Sequence, residues 1–151
     1  MTPAQVSGIV LQTGATFRQE FQWTDDAGTP INFSTDVSLI RIKVRETPDA
    51  ATALLSTDSN ATPSTGTYVD KTNANVGKWV VWFNATATDA IFATRSAQDK
   101  TVYFDIEFVI PTGTALTSGV AAAIGVSGTT TFDIVITPVA GTFTVKPSVT
   151  Y

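Results

Sequence analysis

The chain has 151 residues, a formal net charge of −4, and neither cysteine nor histidine. Without cysteine, the chain can form no disulfide and has no thiolate chemistry. Without histidine, it lacks the usual general base, the Ser/His/Asp triad and the commonest transition-metal ligand. We therefore expect no enzyme, no metal and no cofactor. The net negative charge argues against binding to nucleic-acid phosphates. The length predicts a single domain, residues 1–151, that folds without disulfide bonds.

The first half of the chain is a series of extended segments separated by turns. Alternating apolar and polar residues, bounded by Gly, Pro, Asn and Asp, are typical of half-buried strands. On this basis we predict strands at Ser7–Leu11, Ala15–Trp23, Val37–Arg45, Leu54–Leu55 and Thr67–Asp70.

The second of these strands carries the clearest local signal. Its aromatic residues Phe17, Phe21 and Trp23 share one parity, and charged or amide residues fill the other. The turn Asp25–Gly28 follows, and Pro30 restarts an extended segment. Because Gly accepts a positive φ and Asp caps its own backbone, the pattern predicts a half-buried hairpin.

The second half of the chain contains both the strongest and the weakest patterns. Lys78–Asn84 is apolar on both parities, which predicts a central strand, and Val102–Ile110 alternates strictly. Thr86–Thr94 is the one helix predicted, with Thr88 as its cap. Residues 111–128 have no period and predict a long loop or arm. Two further strands are predicted at Thr131–Thr137 and Thr142–Lys146.

Together these segments predict an all-β fold. About eight strands with turn signals between them favour an Ig-like antiparallel β-sandwich, here with one short helix.

Two charged stripes are the first candidates for chemistry. Asp105 and Glu107 lie on one face of their strand, roughly 7 Å apart, a spacing within the range of paired carboxylates in glycoside hydrolysis. Arg41, Lys43 and Arg45 form a basic stripe on another strand. We interpret both stripes as solvated faces, and we predict cross-strand ion pairs if the two strands are neighbours.

The tryptophans are the second candidates, because exposed aromatic rings can stack on sugars. Trp23 belongs to the apolar face of its strand, which predicts a core position. Trp79 and Trp82 point to opposite faces of one strand, so at most one of them lies in the shared core. Core or interface packing and a glycan platform at Trp79 or Trp82 both stay open.

The order of these segments resembles a family of small bacteriophage virion proteins. These are β-sandwich domains of tails and baseplates, similar to the N-terminal domains of siphophage upper baseplate proteins. The residues that carry the resemblance are Gly14, Thr16, Phe17, Trp23, Asp25, Gly28, Pro30, Ile31, Ile40–Arg45, Gly77–Phe83, Tyr103–Phe108, Gly141, Phe143, Val145, Pro147, Val149 and Thr150.

The resemblance implies a non-enzymatic structural component of a phage particle, on the tail or baseplate. Decoration of the phage head and recognition of receptor glycans are the alternatives. The implied location is the virion, after synthesis in the host cytoplasm, with other virion proteins and further copies of the chain as partners and no membrane. The candidate docking surface consists of Ile9, Leu11, Leu116, Val120 and Ile124.

Overall fold

The computed structural model describes residues 3–91 and 98–147. Within them the strands are β1 (Ala4–Gln12), β2 (Phe17–Gln22), β3 (Leu39–Arg45), β4 (Leu55–Asp58), β5 (Tyr68–Asp70), β6 (Lys78–Phe83), β7 (Lys100–Ile110) and β8 (Ile134–Lys146). Two short α-helices, α1 (Ala85–Asp89) and α2 (Ser118–Ile124), lie between strands. No helix of the described ranges is long and apolar enough to cross a membrane.

The strands form two sheets. One sheet has the order β1-β8-β7-β3-β4 and the other the order β2-β6-β5. Every neighbouring pair is antiparallel except β1 and β8, which run parallel. The expectation of a wholly antiparallel fold is therefore wrong at this edge. A parallel neighbour needs a crossover connection, and here the whole chain between its first and last strands provides it.

The two sheets pack face to face over an aromatic core. Three ring contacts join β2 and its continuation to the larger sheet: Phe17 to Phe143 at 5.3 Å, Phe21 to Phe104 at 5.9 Å, and Trp23 to Phe108 at 5.6 Å between ring centroids. The inward residues of β3 and β7 are fully or almost fully buried. The prediction of an all-β fold is confirmed, as is the core position of Trp23.

The last strand differs from its prediction. Residues expected as two strands, Thr131–Thr137 and Thr142–Lys146, belong mostly to the single strand β8. The pairing with β7 shifts register between Ile106 and Phe108, where β8 carries an extra residue. A bulge of this kind takes up the irregular stretch around Pro138 without ending the strand, because Pro is tolerated at bulges.

The first helix is capped by a different residue from the one predicted. Helix α1 begins at Ala85, and the side chain of its N-cap Asn84 accepts a hydrogen bond of 2.7 Å from the amide of Ala87. Thr88 is buried instead, and its hydroxyl donates to the carbonyl of Ala15 at 2.8 Å. The end of the predicted helix, residues 92–94, lies outside the described residues.

The segment 111–128, predicted as a long loop or arm, connects β7 to β8 and packs on the body of the protein through Val120. Within the segment, the Leu116 amide donates a hydrogen bond to the Gly128 carbonyl at 3.0 Å. The Gly113 amide donates to the carbonyl of Thr130, just after the segment, at 2.8 Å. The segment contains α2, a second helix that the sequence did not predict, and Val120 of that helix is fully buried.

Candidate functional site

The charged stripes of β3 and β7 meet on the outer face of the larger sheet. Arg41 is the register partner of Glu107, and its guanidinium lies 2.6 Å from that carboxylate. Lys43 reaches the other oxygen of Glu107 at 3.4 Å, and Arg45 lies 2.7 Å from Asp105. The prediction of cross-strand ion pairs is confirmed.

The ion pairs lower the pKa of Glu107. Burial by itself would raise the pKa of Glu107, but the hydrogen bond and charge of Arg41, together with Lys43, outweigh burial and hold that pKa below its ordinary value. A general acid in glycoside hydrolysis needs a raised pKa. The arrangement around Glu107 therefore suits a structural ion pair.

A shallow groove of about 320 Å³ lies beside these pairs. Its walls include Tyr103, Arg45 and Pro48, and Gly141 and Thr142 of β8 complete them. Asp105, which also lines the groove, has one buried carboxylate oxygen without a hydrogen-bond partner in the described residues. The groove thus places Tyr103 beside the ion pair of Arg45 and Asp105.

The structure corrects the candidate glycan platform at Trp79. Its side chain is fully buried, with ring centroids of Phe108 at 4.9 Å and Phe21 at 5.6 Å. Trp79 packs on the core face because it shares the parity of Val81 and Phe83, which are also fully buried. A ring in the core cannot stack on a sugar at the surface.

Trp82 lies on the outer face of the smaller sheet, between two neighbours. Arg18 of β2 and Tyr68 of β5 are its register partners on either side. The Arg18 guanidinium lies 5.5 Å from the indole centroid, and the Tyr68 ring is stacked at 6.2 Å with an interplanar angle of 7°. Arg18 and Tyr68 thus flank the partly exposed indole from the two neighbouring strands.

The predicted docking residues lie mostly inside the fold. Leu11 and Val120 are fully buried, so they cannot contact a partner, which corrects the prediction for these two. Ile9, Leu116 and Ile124 are partly buried and pack against the core. Among the described residues, the exposed large apolar side chains are instead Val10, Val76, Val126, Phe132 and Val135.

A larger groove, which we call the hairpin–helix groove, lies between the Trp23–Ile31 hairpin and α2. Its volume is about 1010 Å³. The described residues that line it are Ala4, Trp23, Thr24, Asp25, Asp26, Ala27, Thr29, Pro30, Ile31, Asn32, Thr117, Ser118, Gly119, Ala122, Ala123 and Pro138. Asp25 and Asp26 are its charged lining residues.

The hairpin wall of this groove is held by its own turn. One carboxylate oxygen of Asp25 accepts hydrogen bonds of 2.9 Å from the amides of Ala27 and of Thr29. An isolated bridge between Thr24 and Pro30 closes the hairpin. Asp26 is exposed and takes no part in these bonds. The predicted hairpin is confirmed, and Asp26 is left free at the rim.

The helix wall is fixed by a buried carboxyl group that the sequence did not single out. Asp36 is 1% exposed and accepts hydrogen bonds from the Thr117 amide at 2.8 Å and from the Thr117 hydroxyl at 3.1 Å. Thr117 is the N-cap residue of α2. A side chain 81 positions earlier in the chain therefore sets the start of this helix.

The described ranges contain no group of three or more acidic residues placed to hold a metal ion. Neither a scan of protein-family models nor a search of curated protein sequences finds a match to this chain.

Proposed function

We propose that this chain is a non-enzymatic structural component of a bacteriophage particle, an Ig-like β-sandwich module that mediates assembly or attachment on the tail or baseplate. The observation that carries the proposal is that the residues behind the family resemblance occupy positions on which the two-sheet fold depends. Phe17 and Trp23 link the sheets through their ring contacts. The resemblance is thus one of fold determinants.

Gly77 illustrates this dependence. It ends a short 3₁₀ turn with φ +73°, and a Cβ atom placed on it would lie 2.6 Å from the carbonyl oxygen of Trp23. The Trp23 amide in turn donates to the Gly77 carbonyl at 2.8 Å. Only glycine fits this close approach between the hairpin and the start of β6.

The strand order supports the Ig-like part of the proposal. In the variable type of this fold, a sheet with the order G-F-C-C′ faces a sheet containing B, E and D. The order β8-β7-β3-β4 opposite β2-β6-β5 corresponds strand for strand. The chain lacks the cysteine pair of antibody domains, and the aromatic contacts between the sheets take that place in the core.

Recognition of a surface glycan is a second candidate, favoured by the groove beside Tyr103. Ligand pockets combine aromatic walls with a few polar or charged groups, and this groove has Tyr103 beside the side chains of Arg45 and Asp105. Because Trp79 is fully buried, this groove and Trp82 are the surfaces to test for glycan binding. A glycan array, with a Tyr103→Ala variant as the control, tests it directly.

The proposal is tested on particles. We expect peptides of this chain, by mass spectrometry, in density-purified phage particles at a constant ratio to the major virion proteins. Antibody against the folded protein should label the tail or baseplate in electron micrographs. Label on the head would favour the decoration alternative. Absence of the chain from intact particles would overturn the proposal.

A further inference from the structure

We propose that the hairpin–helix groove is a docking site for an extended segment of a different protein, one that carries lysine or arginine. The inference names the partner class for the assembly role proposed above and rests on that role.

The shape of the groove suits a chain segment. It is open to solvent and runs from the Asp25–Gly28 turn along α2 to Ala4 and Pro138. The helix side is lined by Gly119, Ala122 and Ala123, whose small side chains leave room for a main chain to approach.

A strand edge next to the groove, without a partner strand among the described residues, favours an extended conformation of the docked segment. Strand β1 pairs with β8 only from Val139 onward, so residues 134–137 of β8 have no strand on their outer side among the described residues. Val135 in this stretch is 51% exposed. A free edge of this kind offers main-chain donors and acceptors to an incoming strand. Because Pro138 has no amide hydrogen, such pairing ends at the groove.

The charges in the groove select a cationic segment. Its described lining residues include Asp25 and Asp26 and neither lysine nor arginine. The second oxygen of Asp25 makes no described hydrogen bond, and Asp26 makes none with its side chain. The residue directly before β8 is also acidic, Asp133. Electrostatic complementarity therefore favours a partner with basic residues.

The cations of this chain argue against a second copy as the occupant. Each described lysine and arginine is already engaged within the chain. The contacts are Arg18 with Trp82, Arg41 and Lys43 with Glu107, Arg45 with Asp105, Lys71 with the carbonyls of Val37 and Ser38, Lys78 with Glu20, Lys100 with Glu46, and Lys146 with Asp99. For any of these eight residues to neutralise the groove of a second copy, its present contact would have to break, whereas a different protein brings its own cations.

The experiment uses a synthetic eight-residue peptide of alternating lysine and valine, with a glutamate–valine peptide as its counterpart. Titration into the full chain at low salt, followed by amide chemical shifts in NMR, locates the contact. We expect the lysine peptide to shift the amides of residues 25–29, 118–123 and 134–137, and the glutamate peptide to leave them unchanged. Equal responses to both peptides, or shifts confined to other surfaces, would overturn the proposal.

Charge-reversal variants test the role of Asp26. Asp26→Lys should weaken binding of the lysine peptide by about fivefold or more, since a local attraction becomes a repulsion. The matched control is Asp89→Lys, an exposed acidic residue on α1 without a described ion pair, which should leave the affinity within about twofold. Ala122→Trp, at an exposed helix position, should block the groove by bulk. Equal losses from Asp26→Lys and Asp89→Lys would mean that only net charge matters, and the docking site would be refuted.

The two proposals fail separately. If the chain is present in phage particles but the lysine peptide does not bind in the groove, the docking site is wrong and the structural role stands. If the peptide binds as expected but the chain is absent from particles, the groove is a binding site and the phage assignment is wrong.

Discussion

Gly141 of β8 lies so close to the main chain of Val6 that a Cβ atom on residue 141 would overlap the Val6 carbonyl oxygen. The two residues are register partners in the parallel pair of β1 and β8. The register of this pair shifts just after Val6, where Gly8 adopts a φ of +80°. The first strand can therefore join the sheet only because residue 141 has no side chain.

Substitution of Gly141 by alanine should displace β1. We expect Gly141→Ala to lower the free energy of unfolding by about 1–3 kcal/mol, the usual cost of overpacking a tight site. Amide hydrogen exchange should accelerate in β1, at Ile9 and Leu11, more than in β3. The control is Gly119→Ala in α2, whose new methyl group would meet only the Ile31 side chain at 3.6 Å. Similar stabilities for the two variants would contradict this account.

Removal of the Asp36 carboxyl group should loosen α2. Asp36→Ala leaves the partly buried Thr117 amide without its acceptor, so we expect a loss of about 1–3 kcal/mol in unfolding free energy. Thr117→Ala removes only the hydroxyl and should cost less. Hydrogen exchange at Val120 reports the local effect. If Asp36→Ala left α2 as protected as the rest of the chain, the carboxyl group would not be what fixes the helix.

The lowered pKa of Glu107 predicts a pH dependence of stability. Because its pKa in the folded protein is below the ordinary value of 4.5, the ionised form is favoured by folding, and its contribution is present above about pH 4.5 and lost as the pH falls through the folded-state pKa. Glu107→Gln should remove this contribution, about 1 kcal/mol or less for a partly exposed pair. Urea unfolding at pH 7 and pH 3 should show a larger difference between wild type and variant at pH 7. A constant difference would disprove the linkage.

The two tryptophans of β6 should respond differently to truncation. Trp79→Ala opens a cavity in the aromatic core and should cost about 3–5 kcal/mol. Trp82→Ala removes one member of a surface stack and should cost about 1 kcal/mol. Chemical denaturation of both variants makes the comparison. A larger loss from Trp82→Ala than from Trp79→Ala would mean that the two faces of β6 have been misjudged.

Local alternation predicted most of the strands because each has one buried face. In β7, Val102, Phe104 and Phe108 point inward in turn, and period 2 is visible without knowledge of the partner strand. The ion pairs of Glu107 and Asp105 followed from the same parity. These features depend on neighbours in sequence, which a single chain displays directly.

Segments whose structure depends on distant residues were missed. Helix α2 has seven residues, mostly small, and it is fixed by Asp36 and by burial of Val120. The sequence of the helix itself contains no pattern that predicts either contact. Leu11 of β1 was a candidate docking residue, but it points inward and belongs to the core. The hairpin–helix groove draws its walls from four separate parts of the chain, so no local pattern reveals it.

The parallel pairing of the first and last strands also governs how this domain can be joined to others. Ala4 lies beside Val139, and Gln12 lies beside Lys146. The start of β1 and the end of β8 are thus at opposite poles, separated by seven strand residues or roughly 23 Å. A circular permutant would need at least about seven residues between Lys146 and Ala4 to span this distance. Domains fused at both poles would line up in a row.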